Sequence, residues 1–306
     1  MTTSKTILFF GNEQLATGVT TKLPILTRLV LNGYKVSAII IPSRSISNHP
    51  KTLSPVQLFA QKHDIPVIEV TKLADCLDSL SQFQPEIGIL AAFGRIIPQA
   101  LIDLFPKGIV NLHPSLLPAH RGPTPIESTI LSGATESGIS LMRLVSNMDA
   151  GPIFSQLKIK LSGKETKQAL ADKLGILGAD ELIRLLPAIL DGTLSPLPQS
   201  THQLSYDQRL SKQDSLLDFN KPAQQLEREI RAYQGWPRSR TTINQQPVII
   251  TQGKVLIRPH TTPCKPQVVN NQLVIDTTDN ALLVERLIPS GSKEMTGTEY
   301  LLGHKL

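Results

Sequence analysis

Short apolar segments alternate with amphipathic segments along the first third of the chain. A short apolar run between turn residues is typical of a buried strand, and apolar residues three and four positions apart are typical of a helix. These patterns predict strands at 6–10, 34–41, 65–70, 86–93 and 108–111, and helices at 20–31, 55–63, 74–83 and 98–105. Strands and helices that alternate at this pitch indicate βαβ units and a mostly parallel sheet.

One more strand and one long helix complete the first predicted domain. The strand is predicted at 139–145, and an apolar stripe between Leu170 and Ile189 predicts a helix that ends at Asp191. Ser162 and Glu165 have the spacing of a capping box ahead of that stripe. Because no GxGxxG sequence follows the first strand, the pattern predicts a Rossmann-like α/β domain without the dinucleotide-binding fingerprint.

The composition of the chain changes after residue 192. Residues 193–205 are rich in Pro, Ser, Thr and Gln and lack periodicity, which is typical of a linker. A polar helix is predicted next at 222–232, and short strands follow at 247–251, 254–258, 272–276 and 281–287. These strands predict a small, OB-like β-barrel. The predicted domains are therefore 1–192 and 209–306, and residues 193–208 join them.

Length and composition exclude several classes of protein. The 306 residues suffice for two domains, and a hydrophobic content of 40% with 18% charged residues is ordinary for a globular chain. The apolar runs are too short to span a bilayer, and the first residues lack a signal-peptide pattern, so we expect a cytoplasmic protein without a membrane partner. Cys76 and Cys264 have no partner at metal-ligand spacing, so neither a metal site nor a disulfide framework is predicted.

The positive charge is concentrated around the start of the second predicted domain. The net charge is +6 overall, and residues 201–265 carry ten Lys and Arg against five Asp and Glu. Residues 266–306 reverse the balance, with three against five. A basic face beside a catalytic domain suggests a polyanionic partner such as nucleic acid, and a simple solvated surface is the alternative explanation.

Three polar residues follow predicted strands at the edge where α/β sheets bind ligands. Asn111 and His113 lie at the end of the strand 108–111, and Asp149 follows the strand 139–145. An imidazole can exchange protons near neutral pH, a carboxylate such as Asp149 would fix its tautomer, and an amide can donate to an oxyanion. Ser115 lacks a nucleophile elbow, so the group suits direct acyl transfer to an amine, although an Asn-x-His pair is also common in purely structural settings.

Two motifs carry a resemblance to a known family. NLHPSLLPAHRG at 111–122 and MDAGPI at 148–153 resemble the signature of the 10-formyltetrahydrofolate-dependent formyltransferases. The resemblance implies that Asn111, His113 and Asp149 are the catalytic trio. Asn111 would stabilise the oxyanion, His113 would donate a proton, and Asp149 would keep His113 charged and order a water that relays protons. It also implies folate contacts, which would involve Ser115, Leu116, Leu117, Pro118, Phe93 and Gly94.

The second half of the chain resembles one branch of that family. Residues 209–237, from RLSK to the WP pair, are similar to the start of the second domain in members that formylate initiator methionyl-tRNA for translation initiation. That resemblance implies an OB-fold and a basic channel that binds tRNA. Nothing in the sequence demands more than a monomer. The candidate tRNA contacts are Arg44, Arg209, Lys212, Arg238 and Arg240.

The sequence departs from the family at several positions. GNEQLATG replaces a GTPEFA-like run after the first strand, the loop after residue 42 is short and weakly basic, and Ala119-His120 replaces Arg-Trp. Two other functions therefore stay open. One is folate-dependent formyl transfer to a nucleotide-linked amino sugar, and the other is RNA binding without catalysis. A glycinamide ribonucleotide formyltransferase would end near residue 200.

Overall fold

The computed structural model describes residues 5–43, 52–258, 265–304 and 306. Grouping by contacts gives two compact units, each assembled from more than one segment. The N-terminal unit comprises Met1–Pro125, Glu136–Lys160 and Ala169–Gln208, and the C-terminal unit comprises Ile126–Thr135, Leu161–Gln168 and Arg209–Leu306. The boundaries 1–192, 193–208 and 209–306 remain predictions. Within the described ranges, no helix is long and apolar enough to cross a bilayer.

The N-terminal unit is built on a seven-stranded sheet in the order β3-β2-β1-β4-β5-β6-β7. The strands are β1 (Thr6–Gly11), β2 (Lys35–Pro42), β3 (Val67–Val70), β4 (Ile87–Ala91), β5 (Ile109–His113), β6 (Glu136–Arg143) and β7 (Ile153–Lys160). Pairs from β3 to β5 are parallel, and β6 and β7 are antiparallel additions. Helices cover both faces of such sheets, which is why the central strands read as continuous apolar runs. The predicted, mostly parallel sheet is confirmed.

Three helices of this region start later than the sequence predicts, and two do not. The helices are α1 (Pro24–Leu31), α2 (Pro55–Lys62), α3 (Leu77–Ser81), α4 (Gln99–Ile102) and α6 (Lys167–Asp191). α1 begins only at Pro24 because Leu23 has a left-handed backbone, with φ of 53°. The long helix α6 buries Leu170, Leu174 and Ile189, as its apolar stripe predicts. Glu165 accepts hydrogen bonds from Ser162, as in a capping box, but α6 starts two residues after Glu165. These bonds therefore stabilise a turn that precedes the helix.

Two elements escape the pattern analysis. The helix α5 (Pro125–Ser132) follows the loop that carries the candidate site, and its eight residues are too few for a clear apolar period. The strand β7 lies at the edge of the sheet and alternates partly buried with exposed residues, so it lacks the apolar run that marks the central strands.

The C-terminal unit contains an antiparallel sheet in the order β10-β11-β12-β9-β8, with β13 paired to β12. Its strands are β8 (Ser239–Ile243), β9 (Gln246–Leu256), β10 (Pro266–Val269), β11 (Gln272–Asp276), β12 (Ala281–Pro289) and β13 (Met295–Thr296), and its helices include α7 (Ala223–Ala232) and α8 (Gly297–Gly303). The core of the unit contains Leu226 and Ile230 of α7 together with Ile250 and Leu282 of the sheet. A separate, antiparallel second domain is thus confirmed.

The strands predicted at 247–251 and 254–258 are in fact one strand, β9. The sequence pattern predicts a break before Lys254, whereas the ladder continues through Gly253, which pairs with Val284. A Cβ atom at Gly253 would lie 3.2 Å from Ile230 Cδ1, so the glycine allows α7 to pack closely over the strand. The elements β8, β10, β13 and α8 were not predicted.

Candidate active site

Asn111 and His113 project from the same face of β5. They are two residues apart in one strand, and side chains in a strand alternate between faces. The sequence pattern predicts that this strand ends at Asn111, whereas in the structure it continues to His113, which pairs with Ser140 of β6. Both residues are buried, with 6% and 5% of their surface exposed. The strand therefore holds the amide and the imidazole side by side, shielded from bulk water.

Asp149 reaches both of these side chains from the loop after β6. Its Oδ1 lies 3.5 Å from Asn111 Nδ2 and 3.7 Å from His113 Nδ1, and its Oδ2 accepts a 2.8 Å hydrogen bond from the backbone N–H of Gly122. Asp149 has a left-handed backbone, with φ of 48°. The structure thus brings the three predicted residues together in the N-terminal unit.

The orientation of the His113 ring follows from its second contact. His113 Nε2 lies 2.8 Å from the carbonyl oxygen of His120. A carbonyl can only accept, so Nε2 carries a hydrogen and donates it. Nδ1 then faces Asp149, and it can donate to the carboxylate only when it also carries a proton. The imidazole is therefore held between a carbonyl and a carboxylate.

The loop with the predicted folate contacts is tied to the neighbouring strands. Ser115 Oγ donates to the carbonyl of Ala119 at 2.7 Å, and Ser140 Oγ donates to the carbonyl of Ser115 at 2.6 Å. The backbone N–H of Leu117 donates to Ser140 Oγ at 3.1 Å, and Gln156 Nε2 donates to the carbonyl of Leu117 at 2.8 Å. Since Ser115 is almost fully buried, its hydroxyl fixes the loop. A bound folate would therefore contact atoms of this loop other than the Ser115 hydroxyl.

Phe93 and Gly94 occupy different environments, although the sequence analysis grouped them. The Phe93 ring is buried in the core and packs edge-on against Phe10, with ring centroids 5.7 Å apart. Gly94 is exposed and has a positive φ of 72°. Of the two, only Gly94 presents its backbone to solvent. The folate-binding role of these residues, and of Leu116 and Pro118, remains a prediction.

Glu13 is a buried acid that the sequence analysis did not select. Its two carboxylate oxygens accept the backbone N–H groups of Ile25 and Leu26, both at 2.8 Å, at the start of α1. Burial raises the pKa of Glu13 to about 7 despite these two donors. Its own N–H donates to the carbonyl of Ala91, so it joins the loop after β1 to the last residue of β4. A single acid after a strand gives no sequence signal for such a role.

The predicted tRNA contacts in the C-terminal unit are all exposed. They are Arg209, Lys212, Arg238 and Arg240. Arg238 Nε donates to the carbonyl of Gly235 at 3.3 Å. The side chains of the other three make no hydrogen bond or ion pair with any residue that the structure describes. Arg44 lies outside the described residues, as does Cys264.

Comparisons with known proteins agree with this architecture. The model of the formyl transferase family matches residues 40–186, and the model of the formyl transferase C-terminal domain matches residues 209–305. The fold, the buried trio and these two matches define a formyl transferase with two domains.

Similar full-length proteins narrow the class further. A methionyl-tRNA formyltransferase of Chloroflexus aurantiacus is 33% identical, with 97% of this chain and 96% of that protein covered. One of Bacillus subtilis is 32% identical, with 97% and 94% covered. The chain belongs to the methionyl-tRNA formyltransferase family.

A solved structure shares the fold at a greater distance. The N-formyltransferase from Helicobacter canadensis, solved with folinic acid and dTDP-3-aminofucose, has a TM-score of 0.68 and 18% identity, with 92% of this chain and 98% of that chain covered. At this identity the likeness concerns the fold alone.

Proposed function

We propose that this chain transfers the formyl group of 10-formyltetrahydrofolate to the α-amino group of methionyl-initiator tRNA. The observation that carries the proposal is the convergence of an amide, an imidazole and a carboxylate. Asn111 Nδ2 and His113 Nδ1 lie 3.5 and 3.7 Å from the same oxygen of Asp149. The substrates are inferred from family membership, because relatives that match nearly the whole chain are named methionyl-tRNA formyltransferase.

The trio suits a direct transfer between two nitrogen atoms. The amine attacks the formyl carbon, and the carbonyl oxygen becomes an oxyanion on a tetrahedral carbon. Asn111 Nδ2 carries two hydrogens. One is donated in a hydrogen bond to Asp149, so the other can be donated to this oxygen. The bond from the carbon to folate N10 then breaks, and the proton lost by the attacking nitrogen passes to N10.

His113 and Asp149 serve the proton transfer in this proposal. The Nδ1 atom of a protonated His113 lies 3.7 Å from Asp149 Oδ1, too far for a hydrogen bond, so its N–H can donate to the developing oxyanion, while the carboxylate of Asp149 stabilises the charged ring. Asp149 also orders the water that relays the proton from the attacking nitrogen to the leaving nitrogen. The loops of Ser115–Pro118 and of Gly94 would hold the folate.

The C-terminal unit would supply the affinity for tRNA. Arg209, Lys212, Arg238 and Arg240 are exposed and so can reach phosphate groups. Phosphate contacts provide affinity that depends steeply on salt, and they place the end of the acceptor helix rather than read its sequence. Arg44 is proposed as a further contact by resemblance alone. The reaction would take place in the cytoplasm, by a monomer.

A single assay tests the acceptor. The purified chain is given 10-formyltetrahydrofolate with methionyl-initiator tRNA, methionyl-elongator tRNA or a nucleotide-linked amino sugar, and the products are identified by mass. We expect formylation of the initiator tRNA in preference to the elongator tRNA, with a rate that falls as salt increases. Formylation of the sugar alone, with no dependence on salt, would select the alternative acceptor, and no formyl product with any acceptor would refute the proposal.

A further inference from the structure

Residues 197–207, which we call the strap, hydrogen-bond to the loop that carries Asp149 and to the loop after β5 that contains His120. The backbone of Leu197 pairs with Ile153 of β7 in both directions, at 2.7 and 2.9 Å. Near its other end, the N–H of Arg121 donates to the carbonyl of Ser205 at 3.0 Å, and the N–H of Asp207 donates to the carbonyl of Arg121 at 2.7 Å. Composition predicts a flexible linker here, but these contacts anchor the strap within the N-terminal unit.

Gln199 of the strap holds the loop of Asp149. Its Nε2 donates to the carbonyl of Asp149 at 2.7 Å and to the carbonyl of Gly151 at 2.8 Å, so both amide hydrogens are used. Its Oε1 accepts from Arg121 Nη2 at 2.7 Å. Gly151 adds a tight contact, because a Cβ there would lie 1.8 Å from the carbonyl oxygen of Arg143. Gln199 therefore fixes a loop whose left-handed residue carries the catalytic carboxylate.

Ser205 and Asp207 hold the residue that orients His113. The N–H of His120 donates to Ser205 Oγ at 2.8 Å, and His120 Nδ1 donates to Asp207 Oδ1 at 3.1 Å. His120 has a left-handed backbone, with φ of 59°, a conformation that costs a non-glycine residue about 1 kcal/mol or more. These two contacts stabilise that conformation, and it directs the carbonyl of His120 at His113 Nε2.

We propose that three side chains of the strap position the catalytic groups, with Gln199 positioning Asp149, and with Ser205 and Asp207 positioning His113 through His120. None of the three needs to touch a substrate, so they are positioning residues. The inference rests on the proposed function, since it assigns these contacts to the formyl-transfer step. The inference explains why polar side chains of a segment with the composition of a linker form hydrogen bonds with the backbone of two neighbouring loops.

The main test replaces Gln199 by an acid of the same shape. The Gln199→Glu side chain cannot donate, so it would face the carbonyls of residues 149 and 151 with oxygen atoms alone. Displacement of a catalytic group by about 1 Å can cost roughly 100-fold in rate. We expect kcat to fall about 100-fold while KM for the tRNA and for the folate donor stays near the wild-type value. Gln203→Glu is the matched control, because it adds the same charge at an exposed position of the strap, and we expect it to behave like the wild type.

A second pair of variants keeps the proposal testable if Gln199→Glu does not fold. Asp207→Asn retains an oxygen that can accept from His120 Nδ1, and Asp207→Ala does not. We expect the Asn variant to keep most of the wild-type kcat and the Ala variant to lose about tenfold or more, which matches one hydrogen bond of about 1.4 kcal/mol. Equal kcat for the two would overturn the role of Asp207.

A spectroscopic measurement separates this inference from the proposed function. The ¹⁵N resonances of the His113 ring report which nitrogen carries hydrogen, whether or not any substrate is formylated. We expect Gln199→Glu and Asp207→Ala to shift these resonances, and Gln203→Glu to leave them in place. If the wild type formylates no acceptor, the proposed function fails, yet the ring resonances still test positioning. Wild-type resonances and wild-type kcat in Gln199→Glu would overturn the inference.

Discussion

Polar residues are used in opposite ways in the two units. In the N-terminal unit, Asn111, His113 and Asp149 are largely buried and are fixed by hydrogen bonds. In the C-terminal unit, Arg209 and Arg240 are exposed, and their side chains bond to no other described residue. A donor that stabilises a developing charge must already be in place, whereas a cation that attracts a polyanion can stay mobile. Substitutions in the first group should therefore change kcat, and those in the second group should change affinity and its salt dependence.

The largest expected effect tests the first half of this comparison. Asn111→Ala removes the proposed donor to the oxyanion, and the loss of one such donor costs about 100- to 1,000-fold in kcat. KM for tRNA should change little, since Asn111 is far too buried to meet a phosphate. Steady-state kinetics with the initiator tRNA measure both quantities.

Asn147→Ala is the control for that variant. Asn147 is exposed and lies two residues before Asp149, and its backbone carbonyl, which accepts from Ala150, is retained. We expect wild-type kinetics and unfolding temperature. A kcat for Asn111→Ala within a few-fold of this control would remove the oxyanion role from the amide.

The second prediction concerns the free energy of unfolding, and it tests whether burial raises the pKa of Glu13 in the N-terminal unit. The folded pKa of Glu13 is about 7 because the side chain is buried, against an ordinary value of 4.5. Between these pH values the folded chain keeps a proton that the unfolded chain has lost, so stability falls as pH rises from 4.5 to 7 and then levels off. The free energy of unfolding should fall by about 3 kcal/mol at most across this pH range because of Glu13.

Glu13→Gln removes the titrating group and keeps the shape of the side chain. The stability difference between wild type and variant should therefore shrink or change sign across that pH window, as measured by urea unfolding at a series of pH values. Parallel stability curves for the two proteins would show that Glu13 does not titrate in this range.

The sequence predicted the positions of the three candidate catalytic residues better than the positions of the residues that support them. Asn111 could be placed because it lies near the end of a strand in the parallel part of the sheet, where carboxyl ends share an edge. The same expectation was wrong as a reason for Asp149, because β6 is antiparallel to β5, and Asp149 reaches Asn111 through the loop after β6. Gln199 and Asp207 could not be placed, because they lie in a stretch whose composition is typical of a linker. Their function depends on hydrogen bonds to residues that are distant in the chain, and such contacts leave no local periodicity.

Similar limits explain the misread elements. The glycine at 253 reads as a break in a strand, although in the structure it makes room for Ile230. Leu23 reads as helical, although its left-handed backbone delays α1. In both cases the residue type alone does not determine the local structure. A distant packing partner decides it for Gly253, and the backbone conformation decides it for Leu23.

The smallest expected effect tests the other half of the comparison. Arg240→Gln removes one exposed cation from β8, where the side chain makes no hydrogen bond or ion pair with a residue that the structure describes. If Arg240 meets a phosphate, KM for the initiator tRNA should rise several-fold at moderate salt, while kcat and the KM for folate stay unchanged. The slope of log affinity against log salt should also fall by about one unit. Lys293→Gln makes the same change of charge at another exposed position of the C-terminal unit, and it lies outside the predicted contacts. Equal changes of slope in both variants would mean that the tRNA responds to the overall charge of the unit and not to a defined site.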